Sequence, residues 1–501
     1  MAMQNEGFTR REVLKLSVAT GATYAAGSLE NFAYSGEPKK DTPVHAVIIG
    51  KDVFENNGWG TVARTLAEKY PGARILKYKN GVEDVKADLE GATHAAYIEL
   101  PERLETQPFP TDNLQSFFRI LRGSSAVKFY DALRDEKGYP TAVGGIITGY
   151  DPAGALKIAK SQARKIGNVL GKGLEPPIRL AKQGLVFGTA KDRKTSEAKR
   201  QVKRLRKELG KKLAEDGVEI AGPEFADYFV KNNPDFVGFE GHAAHNAVDL
   251  GFPTQDEPGY RDWKLVFDAS DGKVYIYDEK GKRLKELKSD NPKVYAAPTN
   301  CEFARIGHGK DSIALGLQRS GGADQIFGWI QPVFGLTELA NHAGQGWKWY
   351  AFREGNPFME SLWKSQISTQ YMLGKLGYTR GEPIKSKEVI DLLLSDGFIA
   401  YGDPAVESLI DTDNGVVRDL VQNTIRRKNR DGSLHYKFLL ETKSDCTLER
   451  EPIIPARGKV NNVKTDPEIN HLVGENFVLL DTGRKAVPKG IRYTLEFDAN
   501  P

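Results

Sequence analysis

Residues 292–329 read PKVYAAPTNCEFARIGHGKDSIALGLQRSGGADQIFGW, and their order decides how the rest of the chain is taken. A short apolar run ends at a cysteine, a glycine-rich turn follows, then an amphipathic helix pattern, a Gly-Gly turn and a second apolar run. That is a strand-helix-strand unit, with Cys301 where the first strand runs out into its loop. Ligands and nucleophiles of open α/β sheets gather at the carboxyl ends of strands. The same pattern stands sixty residues upstream, where DFVGFEG (235–241) stops at His242. Two strand ends, one with a thiol and one with an imidazole, can present both to one cleft.

Upstream of these segments, period-2 runs alternate with helical stretches. Residues 44–50, 73–78, 94–100 and 141–148 read as strands, and 58–70, 82–89 and 109–122 as helices. Asp151-Pro152 supplies an N-cap and a first-turn proline for another helix. The alternation predicts a doubly wound, mostly parallel α/β sheet with helices on both faces. Residues 263–267 and 273–277, split by Asp271-Gly272, read as an inserted hairpin. Helical patterns at 336–350, 357–373 and 387–394 lead to a strand at 398–401. Beyond residue 428 the strand patterns 434–440, 477–480 and 491–497 lack intervening helices, which predicts a small β-rich region over 428–501. The expected division is 43–230 as an N-terminal α/β part and 231–410 as the part carrying the chemistry.

Composition excludes several classes. With 71 Lys and Arg against 67 Asp and Glu, no overall basic surface calls for nucleic acid. The run KDRKTSEAKRQVKRLRKELGKK (191–212) reads as a solvated helix face. Two cysteines, Cys301 and Cys446, form no disulfide framework. No run reaches the roughly 18 to 20 apolar residues that span a bilayer. The first 35 residues are different in kind: TRREVLK (9–15) precedes a weakly apolar stretch, LSVATGATYAA (16–26), and resembles a bacterial twin-arginine export signal. That resemblance implies a protein exported to the periplasm or beyond.

The chemistry follows from the two strand ends. A thiol is only partly ionised at neutral pH, and a neighbouring imidazole can take its proton and later hand it to a leaving amine. His242 is then the base and Cys301 the nucleophile. The N–H groups of Gly241 and Cys301 are candidates for binding the oxyanion. A metal reading is also open, since His242, His245, Glu240, Asp249 and His308 are near one another in sequence, but the His-Glu-x-x-His helix motif is absent. No cofactor is expected.

FVGFEGHA (236–243) and AAPTNCEFA (296–304) resemble the two catalytic segments of the gingipain-type cysteine peptidases, relatives by fold of the caspases. DSIALGL (311–317), GGADQIFGWI (321–330) and YGDP (401–404) fit later segments of that family, and FYDALRDEKGYPTAVGG (129–145) an earlier one. The resemblance covers residues 43 to 410. It implies a caspase-like fold, a Cys-His dyad, a polypeptide substrate and an acid in the specificity pocket, for which Asp131, Asp135 and Asp324 are candidates, with Trp329 as a wall. Three departures stand out: Ala243 for the second glycine of Gly-His-Gly, Gly145 for an arginine, and Glu302 directly after the cysteine. Glu302 or Glu240 would orient the histidine or modulate the thiol. A catalytically weakened, peptidase-like binding protein and a metal-dependent hydrolase are the alternatives.

Overall fold

The structure, a computed structural model, describes residues 44–172, 183–187, 229–250, 264–411 and 420–500, apart from positions 111, 279, 334–338, 340, 385, 430, 444, 457 and 484–485. The proposed export signal and the basic run 191–212 lie outside the described residues.

Among the described residues ten strands form the central sheet: β1 (His45–Gly50), β2 (Arg74–Tyr78), β3 (His94–Ile98), β4 (Val143–Ile147), β5 (Asn168–Lys172), β6 (Gln183–Phe187), β7 (Phe236–Gly238), β8 (Lys293–Ala296), β9 (Ala323–Trp329) and β10 (Phe398–Tyr401). Their spatial order is β2-β1-β3-β4-β10-β9-β8-β7-β5-β6. β1 to β4 pair in parallel among themselves, as do β5 to β9, whereas β10 lies antiparallel to β9 and meets β4 through Tyr401 and Ile146.

Alternation along the strands explains the layers. In β1, Val47 and Ile49 pack with Trp59, Val62 and Leu66 of the helix Asn57–Lys69 and with Ile158 of the helix Pro152–Ala159. Ala46 and Ile48 belong to the core on the other side, with Phe117, Leu121 and Phe129. Successive side chains of a strand point to opposite faces, so a strand buried on both is apolar throughout; all six residues of β1 are buried. The Pro152 helix starts as its sequence dictates, with the Asp151 carboxylate accepting the Gly154 N–H at 2.9 Å. The doubly wound α/β class read from the sequence is the one observed.

Between β7 and β8 the chain makes a five-stranded antiparallel sheet from residues 243–244, 247–249, 264–268, 273–277 and 283–286. It packs on the helix Ile313–Arg319, where Gly316 admits Phe267 and Val274 so closely that a Cβ would stand 2.6 Å from Val274 Cγ2.

The C-terminal region is antiparallel, as expected, but larger than the sequence patterns indicated. Its four-stranded sheet runs Leu420–Lys428, Leu434–Thr442, Arg492–Asn500, Lys459–Asp466, and a three-stranded sheet joins Ile453–Pro455, Phe477–Leu480 and His471–Val473. Its core is shared: Leu434, Phe438, Ile454 and Phe477 cluster with Trp349, Tyr350, Trp363 and Ile367 of the preceding helical segment. No helix among the described residues is long and apolar enough to cross a membrane.

Candidate functional site

β7 and β8 are parallel neighbours, with Gly238 opposite Ala296, so the segments that follow them leave the same edge. Phe239 N–H extends the ladder to Ala296 O at 2.8 Å. Gly241 then takes a φ of 128°, a left-handed value that favours glycine, and delivers His242 with its side chain exposed. The His242 backbone is anchored by the Asp249 N–H, which donates to His242 O at 3.1 Å.

The loop after β8 is pinned to the extension of β9. Trp329 Nε1 donates to Pro298 O at 2.7 Å, Ala304 N–H to Trp329 O at 2.9 Å and Glu302 N–H to Gln331 O at 3.0 Å. Cys301 is half-buried, and its Sγ accepts the Val333 N–H at 3.3 Å. Burial pushes the thiol up from its ordinary range; the Val333 amide opposes this and the Glu302 carboxylate adds to it. Among the described residues neither the Gly241 nor the Cys301 N–H is taken by a backbone carbonyl. No hydrogen bond joins Cys301 to His242.

The remaining candidates are engaged elsewhere. Glu240 forms an ion pair with Lys348. Glu302 pairs with Arg305 at 2.9 Å and faces His245, not His242. Asp324, expected in a specificity pocket, is buried at the start of β9 in a two-pronged pair with Arg164, at 2.5 and 2.6 Å. Burial raises its carboxyl despite that partner. An acid so enclosed braces the fold and offers substrate nothing. Trp329 is likewise fully buried, a core residue that anchors the cysteine loop from behind and not a pocket wall. Asp135 accepts the Tyr139 N–H at 2.9 Å and shapes its own loop. Asp131 lies 3.2 Å from Arg134 and 4.0 Å from Arg380, in a cluster that both arginines share with the buried Asp396. None of the contacts of Asp131 or Asp135 is with the cysteine loop or the 240–245 turn.

Sequence reasoning undervalued His245. Its Nε2 lies 3.1 Å from Asp311 and its Nδ1 3.8 Å from Glu302, so this histidine, not His242, touches the charged surroundings of Cys301. The signal was the spacing of three in His-Ala-Ala-His after a strand. His308 is fully exposed at the rim, 3.3 Å from Glu105. Among the described residues no three His, Cys, Asp or Glu side chains gather as a metal's ligand set.

No protein-family model matches the chain, and no curated protein matches it. Among solved structures, the crystal structure of the Arg-specific cysteine proteinase gingipain R aligns over 93% of this chain and 100% of its own, at 10% identity and a TM-score of 0.42. So low an identity transfers no role from residue to residue.

Proposed function

We propose that the edge shared by β7 and β8 hydrolyses peptide bonds, with Cys301 as nucleophile and His242 as base. The observation that carries this reading is the adjacency of the two strands in register, which sends a half-buried thiol and an exposed imidazole off one edge within a few residues of it. The Cys301 thiol gives its proton to the His242 imidazole, and the thiolate attacks the carbonyl carbon. The Gly241 and Cys301 N–H groups donate to the oxyanion. The imidazolium returns the proton to the leaving amine, and water, deprotonated by His242, then cleaves the thioester to free acid and thiol. The mechanism requires the exposed His242 ring to turn onto the thiol when substrate arrives, a rotamer change of the kind surface side chains make rapidly.

One observation favours a second reading, a weakened, peptidase-like binding protein. Both burial and the adjacent Glu302 oppose the thiolate that the reaction needs.

The test is hydrolysis of an unstructured polypeptide. Cys301→Ala abolishes it, His242→Ala lowers it by two or more orders of magnitude (about 10²–10⁴ for a general base), and Cys446→Ala leaves it intact. Full activity in Cys301→Ala ends the proposal. Binding of the polypeptide without turnover, unchanged by either substitution, supports the second reading.

A further inference from the structure

A second set of charges surrounds the cysteine loop, and the dyad makes no use of it. Glu302 directly follows Cys301 and holds φ at 51°, a left-handed value that a non-glycine residue keeps only where its surroundings fix it. Its N–H is bound by Gln331 O at 3.0 Å, and its Oε1 accepts from Arg305 Nη1 at 2.9 Å. Its Oε2 faces His245 Nδ1 at 3.8 Å. Arg305 is itself buried and fixed, donating to Thr106 O at 3.1 and 3.3 Å.

His245 is held just as firmly. Nε2 lies 3.1 Å from Asp311 Oδ2, which also accepts the Asn246 amide at 3.3 Å. The His245 carbonyl accepts the Ile313 N–H at 2.6 Å. Gly307 lies against the ring, so close that a Cβ there would be 2.8 Å from His245 Cδ2. Nδ1 is buried without a hydrogen-bond partner among the described residues, and the carboxylate of Glu302 is the charge it faces.

We propose that His245 is a positioning residue: held by Asp311, it keeps the Glu302 carboxylate against Arg305 and so sets how readily the neighbouring Cys301 thiol ionises. Its consequence for catalysis rests on Cys301 being the nucleophile; the effect on the thiol does not.

The charges facing His245 are Glu302 and Asp311, which favour its protonated form, and Arg305, which opposes it. The next ones, Lys310 and His308, are engaged by Glu102 and Glu105. With His245 protonated, two cations offset two carboxylates. The Glu302 interaction is the main cause that holds the imidazole above its ordinary 6.5, so the ring holds its proton to a higher pH than a free imidazole does. As pH rises further the ring becomes neutral, one cation is left against two anions, and the field at Sγ turns against the thiolate. Loss of the ring proton removes a charge that offsets Glu302, whose carboxylate disfavours the thiolate, so the two ionisations are linked through Glu302 and, where their ranges overlap, Cys301 ionises over a wider pH range than an isolated thiol.

The test is the rate of iodoacetamide alkylation of Cys301 as a function of pH, in a Cys446→Ala background so that one thiol reports. The parent is expected to give a curve broader than a one-proton titration. Glu302→Gln labels about threefold faster or more at neutral pH, and His245→Asn labels more slowly there, each with a curve narrowed toward one proton. Glu302→Gln leaves Arg305 buried without its carboxylate, so its melting temperature is measured alongside; His245→Asn carries the test if that variant does not fold. A merely structural His245 would leave the shape of the profile unchanged, and a His245→Asn curve superposing on the parent's overturns the proposal. Shifted curves without hydrolysis of any peptide would leave His245 in this role and remove the peptidase reading. Hydrolysis with superposing curves would do the reverse.

Discussion

Gly145 faces the carbonyl of Gly402 so closely that a Cβ on residue 145 would stand 2.4 Å from Gly402 O and 3.0 Å from Pro404 Cδ. The contact is made where β10 passes β4, and Gly402 at φ 148° is itself a position that disfavours a side chain. The arginine that the sequence resemblance implied at 145 has no room here. Gly145→Ala is expected to lower stability by about 2–3 kcal/mol, because overpacking against backbone has no flexible neighbour to absorb it. Urea unfolding checks this, and an unchanged midpoint would show that the strands move apart freely.

His45 gives the fold a pH dependence. Its ring stacks on Tyr70 at 3.9 Å and on His94 at 4.9 Å. Burial first, and Lys69 with it, lowers its pKa from 6.5 to about 4 against the opposing pull of Asp403. Between those values the unfolded chain binds a proton at this site and the folded chain does not. The unfolded state therefore gains as pH falls from about 6.5 toward 4, and the stability contributed by the neutral ring is lost across that window and not below it. Unfolding curves at several pH values, parent against His45→Phe, should show a shallower acid slope in the variant; parallel slopes would assign the acid sensitivity to other groups.

Phe477 couples the C-terminal region to the sheet domain. It is buried, its ring centroid 5.5 Å from that of Tyr139 and 6.1 Å from that of Trp363. Phe477→Ala should cost about 3–5 kcal/mol and lower a single melting transition. Calorimetry decides: two separate transitions, with the first confined to the C-terminal strands, would mean that the shared core does not bind the regions into one cooperative unit.

The elements that were legible are those whose side chains alternate between two buried faces or follow a recognisable cap. β1, β3 and β4, the Asp151-capped helix and the hairpin at Asp271-Gly272 fall within a residue or two of where pattern alone puts them. Leu420–Lys428 was not legible, since LVQNTIRRK offers no apolar face and residues 423–428 are exposed on an edge strand. β5 was missed because NVLGK is five residues long with a glycine inside it. At the candidate site, strand adjacency followed from the repeated strand-end pattern. The partners of Glu302 did not, because Arg305, His245 and Asp311 come together through a turn at Gly307 and a left-handed backbone at 302 that no periodicity announces. Asp324 looked like a pocket acid for the same reason: its partner Arg164 is 160 positions away.

The strand order has a further consequence. Read inward from either edge of the sheet, the chain runs second, first, third, fourth: β2-β1-β3-β4 from one side and β6-β5-β7-β8 from the other. Contacts between Thr106 and Ile306, and between Tyr150 and Lys310, bring the carboxyl ends of both sets to a common rim. Among the described residues the winding reverses twice, between β1 and β3 and between β5 and β7, the kind of position where open α/β sheets bind ligands. In the first, Arg103 reaches across from the end of β3 to Asp52 past β1, with the buried Glu99 3.9 Å away and held by Tyr97 at 2.9 Å. In the second, the chain leaving β7 carries His242, and the loop that follows β8, the next strand over, carries Cys301. The molecule thus holds its own comparison, two reversals of like strand order, one bridged by an ion pair and the other followed by a thiol and an imidazole.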